Sequence, residues 1–132
     1  MLHAAFVRSP QAHARLLSVD TSRASEAPGV VLVLSGAELE KALPPVRDNQ
    51  MPVTAKWKAA VPHRILNPRQ PLLSTDKVRH VGEAIAVVIA ETRLAAQDAA
   101  ELVSVEYEML TAVVDPEAAL GQIGRASCRE RV

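Results

Sequence analysis

The densest set of reactive side chains in this 132-residue chain is Asp76, Lys77, Arg79, His80 and Glu83, within the stretch VRHVGEAIAVVIAE and the residues just before it. Two carboxylates, two cations and an imidazole this close raise the question of an active site. They also suit a surface ion-pair patch worth about 0–1 kcal/mol per pair, or a docking surface beside the proline-rich segment that precedes them. A second set is Glu106 and Glu108. On one strand face two residues apart they would stand ~6.5–7 Å from each other, a separation known from the acid/base pairs of glycosidases. Alternating charge is also what any solvated strand face carries, and nothing aromatic or polar joins the pair.

The four histidines, His3, His13, His63 and His80, are dispersed, with no i, i+4 pair and no flanking Cys or Asp at ligand spacing. If strands over 2–8 and 14–20 pair, His3 and His13 approach each other, but two ligands do not close a metal site. Cys128 is the single cysteine and can form no intramolecular disulfide; neighbouring arginines could lower its pKa, but a frayed terminus is the simpler setting. No G-x-S-x-G nucleophile elbow occurs. No G-x-G-x-x-G occurs either, and Gly82-Glu83 precedes an apolar run, whereas a phosphate cradle follows a strand and opens a helix. Gly82 therefore reads as a tight turn.

Composition removes several classes. Fifteen basic and fifteen acidic residues cancel, so no net field draws the chain to nucleic acid or anionic lipid. With one Phe, one Trp and one Tyr, a base-stacking platform is excluded. No apolar run approaches the ~20 residues of a membrane span, and the opening MLHAAFVRSP has neither the basic nor the apolar part of a secretory signal. A cytoplasmic setting is expected. Hydrophobic residues at 48% are enough for one core.

The elements that must position these side chains follow from periodicity. LHAAFVR (2–8) predicts a strand closed by Ser9-Pro10, and ARLLSVD (14–20) a second, with Leu17 and Val19 on one face and Leu16, Ser18 and Asp20 on the other. TSRASEAPG (21–29) predicts a helical turn capped by Asp20 or Thr21 and stopped by Pro28-Gly29. VVLVL (30–34) predicts a buried strand. Ser35 with Glu38 forms a capping-box pattern for a short helix that Pro44-Pro45 ends. Residues 44–71 hold six of the nine prolines and predict a long irregular connection. The uninterrupted run Ala84–Ala90 predicts a central strand buried on both faces. Thr92 caps a helix with Ala95, Ala99 and Val103 inward, and VSVEYEML (103–110) predicts a strand with Val103, Val105, Tyr107 and Met109 inward. Asp115-Pro116 starts another helix.

Four blocks in order, LHAAFVRSPQAHARLLSVDTS, APGVVLVLSGAEL, PLLSTDKVRHVGEAIAVVIAETRLAAQDAAELVSVEYEML and AVVDPEAAL, resemble the α/β hammerhead domain of the xanthine dehydrogenase/aldehyde oxidase family, within it most nearly the large subunits of carbon monoxide dehydrogenase-like enzymes. The family usually has proline where this chain has Ala84, a change that should soften the turn and leave the strand. The resemblance implies an α+β domain, a hammerhead with a mixed β-sheet and two principal helices, spanning 1–120. It implies a molybdenum hydroxylase parent that uses water as oxygen source, with a molybdopterin dinucleotide cofactor, and [2Fe-2S] clusters and FAD on partner domains or subunits. The family's glycine-rich cofactor segments and catalytic glutamate lie downstream of the hammerhead. No catalytic, cofactor-binding or metal-binding residue is therefore carried over to this chain, whose expected role is structural, bracing the rest of the large subunit and helping to seat the iron–sulfur partner. Met1 reads as an internal methionine, and GQIGRASCRERV (121–132) resembles translated adapter DNA, so a fragment is expected. The rival expectation is a free-standing, non-enzymatic binding module that shares the fold. A small hydrolase using Glu106 and Glu108 is a third.

Overall fold

The computed structural model describes residues 1–43 and 71–117. Its element order is β1 (His3–Arg8), β2 (Ala14–Asp20), α1 (Ser22–Ser25), β3 (Val30–Ser35), α2 (Gly36–Ala42), β4 (Lys77–Val78), β5 (Ala84–Ala90), α3 (Arg93–Glu101) and β6 (Ser104–Met109). The expected α+β class holds. The expected single mixed sheet is instead, among the described residues, two three-stranded sheets with antiparallel pairing throughout, ordered β1-β5-β3 and β4-β2-β6.

The first sheet is built on β5. Its alanines and β-branched residues suit a strand flanked on both sides, and it pairs with β1 from His3↔Ala90 to Arg8↔Ala84 and with β3 from Val30↔Ala90 to Ser35↔Ala86. One face of this sheet carries Val33 and Val88 against Ala24 of α1 and Ala99 of α3. Alanine on the helix side of that contact lets helix and sheet backbones approach closely. The second sheet packs Ala14 and Val78 against Ile85, at the start of β5, with Leu16, Val19, Val105 and Tyr107 around them. β5 thus belongs to both apolar clusters.

Four expectations about inward faces change, each for a local reason. In β2 the pairing with β6 shifts register between Leu16 and Ser18. A bulge places one extra residue on a strand and reverses the alternation beyond it, so Leu16 and Val19 both face the cluster while Leu17 is 61% exposed. β3 is an edge strand, and a shift between Val30 and Leu32 leaves Val31 and Leu32 exposed where a fully buried strand was expected. In α3 the buried positions are Ala96 and Ala99, one residue on from the expected Ala95. Met109 ends β6 in solvent.

The helix termini follow the sequence. Ser35 Oγ accepts from the Glu38 N–H at 3.4 Å, and the Glu38 carboxylate accepts from the Ser35 N–H at 2.8 Å and its hydroxyl at 2.7 Å. Leu43, the C-cap, has the extended conformation that a following proline imposes. Thr92 Oγ1 accepts from the Ala95 N–H at 3.1 Å. At α1 the side-chain acceptor is Asp20, which takes the Ser22 N–H at 2.9 Å, while Thr21 makes no such bond. Asp115 accepts from the Glu117 N–H at 3.0 Å; the remainder of that expected helix, the 44–70 part of the proline-rich connection and the 121–132 tail lie outside the described residues.

Two glycines answer different needs. Gly36 opens α2 hard against the chain at Leu73 and Ser74, and a Cβ there would overlap the Ser74 carbonyl. Gly82 has φ +87° with open space around its Cα. Gly36→Ala should cost about 1–3 kcal/mol through overpacking against backbone. Gly82→Ala should cost about 1 kcal/mol through conformation alone, and Gly82→Asn less, since Asn tolerates positive φ. Urea midpoints of the three variants check that ranking.

Bonds from the Ser35 N–H first, and from its hydroxyl second, hold the Glu38 carboxyl below its usual range. A depressed carboxyl stabilises fully above the unfolded glutamate value, about 4.3, and that contribution is lost as pH falls through the lower folded value. Ser35→Ala should therefore lower stability by about 1 kcal/mol at neutral pH and flatten the acid limb of the stability curve, measured by urea unfolding from neutral pH down to the acid limb.

Candidate functional site

The polar cluster 76–83 is drawn together by the structure, around Glu83. The turn closes with the Glu83 N–H donating to the His80 carbonyl at 3.3 Å, which the positive φ of Gly82 permits. Glu83 then turns its carboxylate inward, with its side chain only 18% exposed. Oε1 accepts from Ser74 Oγ at 2.7 Å and Oε2 accepts from the Arg79 backbone N–H. The Arg79 guanidinium lies 3.9 Å from Oε1 and donates to the Lys77 carbonyl at 3.2 Å. The cations of the cluster are thus not all displayed to a partner: Arg79 is committed to fixing the turn.

The clamp extends beyond the cluster. The Ser9 N–H donates to the Glu83 carbonyl at 2.9 Å, and the Gly82 N–H returns a bond to the Ser9 carbonyl at 2.8 Å. Arg8 Nη1 donates to the Gly82 carbonyl at 2.8 Å, and the Ser74 N–H donates to the Ala84 carbonyl at 2.8 Å. Ser9 is buried and closes its own turn, its hydroxyl oxygen accepting from the Gln11 N–H at 3.0 Å. One turn therefore ties the end of β1, the start of β5 and the segment beneath α2. Ser9, Ser74 and Arg8 were not singled out from sequence; only Ser9-Pro10, read as a strand end, hinted at one of them. Of the cluster, the His80 ring donates through Nδ1 to the neighbouring Val81 carbonyl at 3.2 Å, and Asp76 contributes its backbone carbonyl to the Leu16 N–H at 2.8 Å.

The other candidate sets separate. Glu106 and Glu108 do lie on the outer face of β6, but each engages its cross-strand partner. Ser18 Oγ donates to Glu106 at 2.8 Å and Arg15 pairs with Glu108 at 2.8 Å, with both side chains of that pair about half exposed. This is a solvated ladder with cross-strand pairing, not an acid/base pair converging on a substrate. His3 and His13 do not meet, because β1 and β2 belong to different sheets. His13 donates through Nδ1 to the Thr111 carbonyl at 2.8 Å, fixing the segment after β6. His63 and Cys128 lie outside the described residues. Among the described residues no group of three or more His, Cys, Asp or Glu side chains converges as a metal site, and no helix is long and apolar enough to cross a membrane.

The bonds of this arrangement fix backbone geometry. Glu83→Ala would strand the Ser74 hydroxyl and the Arg79 N–H, and should cost about 2 kcal/mol, the scale for bonds to a charged acceptor. Glu83→Gln, which keeps an acceptor oxygen, should cost less. Chemical unfolding of the two variants gives the order, and equal losses would remove the charge from the account.

Comparison with known proteins identifies the family of this segment. Residues 1–111 match the family described as aldehyde oxidase and xanthine dehydrogenase, a/b hammerhead domain. The large subunit of nicotine 6-hydroxylase from Paenarthrobacter nicotinovorans is 45% identical over 115 residues, covering 87% of this chain and 13% of that protein. The carbon monoxide dehydrogenase large chain of Afipia carboxidovorans is 41% identical over 116 residues, covering 88% of this chain and 12% of its own length. In three dimensions the crystal structure of quinoline 2-oxidoreductase from Pseudomonas putida 86 aligns with TM-score 0.74 at 40% identity, over 95% of this chain and 15% of that one. The chain thus spans about an eighth of the curated relatives it matches. With sequence and fold in agreement over most of its length, the chain belongs to the aldehyde oxidase and xanthine dehydrogenase family, as an α/β hammerhead domain.

Proposed function

We propose that this domain works within the large subunit of a molybdenum-dependent hydroxylase or dehydrogenase, as a bracing and assembly element without catalytic residues. The observation that carries the reading is the family match over residues 1–111 combined with relatives about eight times longer, named as hydroxylase and dehydrogenase large subunits. The parent oxidises a small substrate with water as oxygen source, through a molybdopterin dinucleotide held elsewhere in the subunit. Electrons pass to [2Fe-2S] clusters and FAD on partner domains or subunits, in a cytoplasmic setting. Among the described residues no three His, Cys, Asp or Glu side chains converge, and no step of that chemistry is assigned to them. A free-standing binding module is the weaker reading, because the relatives at this level of identity include the large subunits of multi-subunit enzymes.

The structure alters one part of the assembly role expected from sequence. Arg79, thought to face a partner, is tied to Glu83 and the Lys77 carbonyl, so the cluster 76–83 acts first on the domain's own shape. The reading is tested on the complete protein, expressed from its full reading frame with its partner subunits. Molybdenum near one per large subunit, and transfer of labelled oxygen from water into product, are the expected results. A folded complete protein devoid of molybdenum under conditions that load a related hydroxylase would overturn it. Charge reversal Arg79→Glu should lower the melting temperature of the complex and leave turnover per bound molybdenum unchanged.

A further inference from the structure

The sheet β1-β5-β3 has two faces of similar composition and very different burial. One face carries Val33 and Val88 beneath α1 and α3. The other carries two rungs, Ala4–Ile89–Leu32 and Phe6–Val87–Leu34, read directly from the register. Phe6 is 51% and Leu32 44% exposed. Val87 and Ile89 are only half-buried although β5 is the central strand. All six side chains are apolar, and a contiguous open apolar face of this kind marks an interaction surface.

We infer that this face is the docking surface for an apolar part of the same polypeptide, contributed by the remainder of the large subunit. The inference rests on the reading of the chain as one domain of such a subunit. Three observations select this occupant. The matched relatives leave more than four-fifths of their length outside this domain, so a covalently attached partner is at hand. Six side chains on two rungs fall well short of the roughly 20–30 residues per side by which free proteins hold one another. A tethered partner instead meets the face at an effective concentration in the millimolar range, where a small patch suffices. The rungs also carry no charge to steer or select a freely diffusing partner. Arg8, at the edge of the face, lies over the Phe6 ring at 5.7 Å from its centroid and is held to the Gly82 carbonyl at 2.8 Å. The border of the face is thereby fixed to the turn at Glu83, so the surface is presented ready-formed.

The test uses the complete large subunit with Ala4→Cys or Leu32→Cys, substitutions on opposite edge strands of one rung. Ala4→Cys changes volume least and keeps the test alive if Leu32→Cys does not fold. Maleimide labelling of each site is followed by peptide mass spectrometry, in the native subunit and in the same protein unfolded in urea. Docking predicts native labelling about tenfold slower or more at the introduced cysteine, because reaction must await local opening, and the same protection after dilution. Labelling within about twofold of the unfolded rate would overturn the inference, and so would protection that vanishes on dilution, which would assign the face to a second copy. Molybdenum content is measured on the same preparation. Protected cysteines without molybdenum would leave the docking face standing and remove the hydroxylase reading; molybdenum with freely labelled cysteines would do the reverse.

Discussion

β5 is asked to be covered on both faces and paired on both edges, and the rest of the domain can be understood as the means of meeting that demand. Its seven residues, AIAVVIA, offer no polar side chain to solvent. Both backbone edges are satisfied, by β1 and by β3. One face is closed by α1 and α3, and Ile85 at its start is sealed by the second sheet. Leaving such a strand open would cost about 25 cal/mol for each Å² of apolar surface kept in water. The stretch around Val87 and Ile89 is where coverage is incomplete, which makes it the place where the fold still requires something.

The Glu83 turn matters because it sets where β5 begins. A strand of alanine and valine has little in its own side chains to pin its register, since a slip exchanges near-identical residues between faces. Polar bonds at its entry supply what the side chains do not. Ser9 and Gly82 exchange backbone bonds, Ser74 takes the Ala84 carbonyl, and the Glu83 carboxylate binds the segment that crosses beneath Gly36. Ala84 is the first residue of β5 and pairs with Arg8. β5 runs without a break from Ala84 to Ala90, from a position where a strand would also accept proline.

What was legible in the sequence was local. The capping box at Ser35 and Glu38, the Thr92 cap, the proline stop after Leu43 and the run Ala84–Ala90 are each read within a few residues, and each is present. What was not legible depends on partners far along the chain. The Ser9–Gly82 and Arg8–Gly82 bonds join residues more than seventy positions apart, and nothing near Ser9 announces them. Leu16 and Leu17 are chemically identical, so only the bulge opposite β6 decides which of them is inside. The same holds for Ala95 and Ala96 in α3: a run of alanines fixes that a helix packs closely but not its exact rotation. His3 and His13 failed as a pair because adjacency in sequence suggested a hairpin, whereas each strand takes its partner from the C-terminal half.

The size distribution of the core carries the same lesson into the assembly. Among the described residues the fully sealed positions are mostly alanine, with Ile85, Val78 and Val88 the largest of the apolar ones. Larger apolar residues such as Phe6, Leu32, Leu72, Leu94 and Met109 remain substantially in solvent. Burying a leucine or phenylalanine contributes about 1.5–3 kcal/mol, several times what an alanine methyl does. A domain standing alone would be expected to place its large side chains inside and its alanines wherever helix propensity favours them. Here the order is reversed. Alanine in the core gives close backbone approach, and the large residues outside leave apolar surface in solvent. That distribution suits a domain whose stability is shared with its surroundings, and it ties the small core and the open face of β5 to a single physical cause.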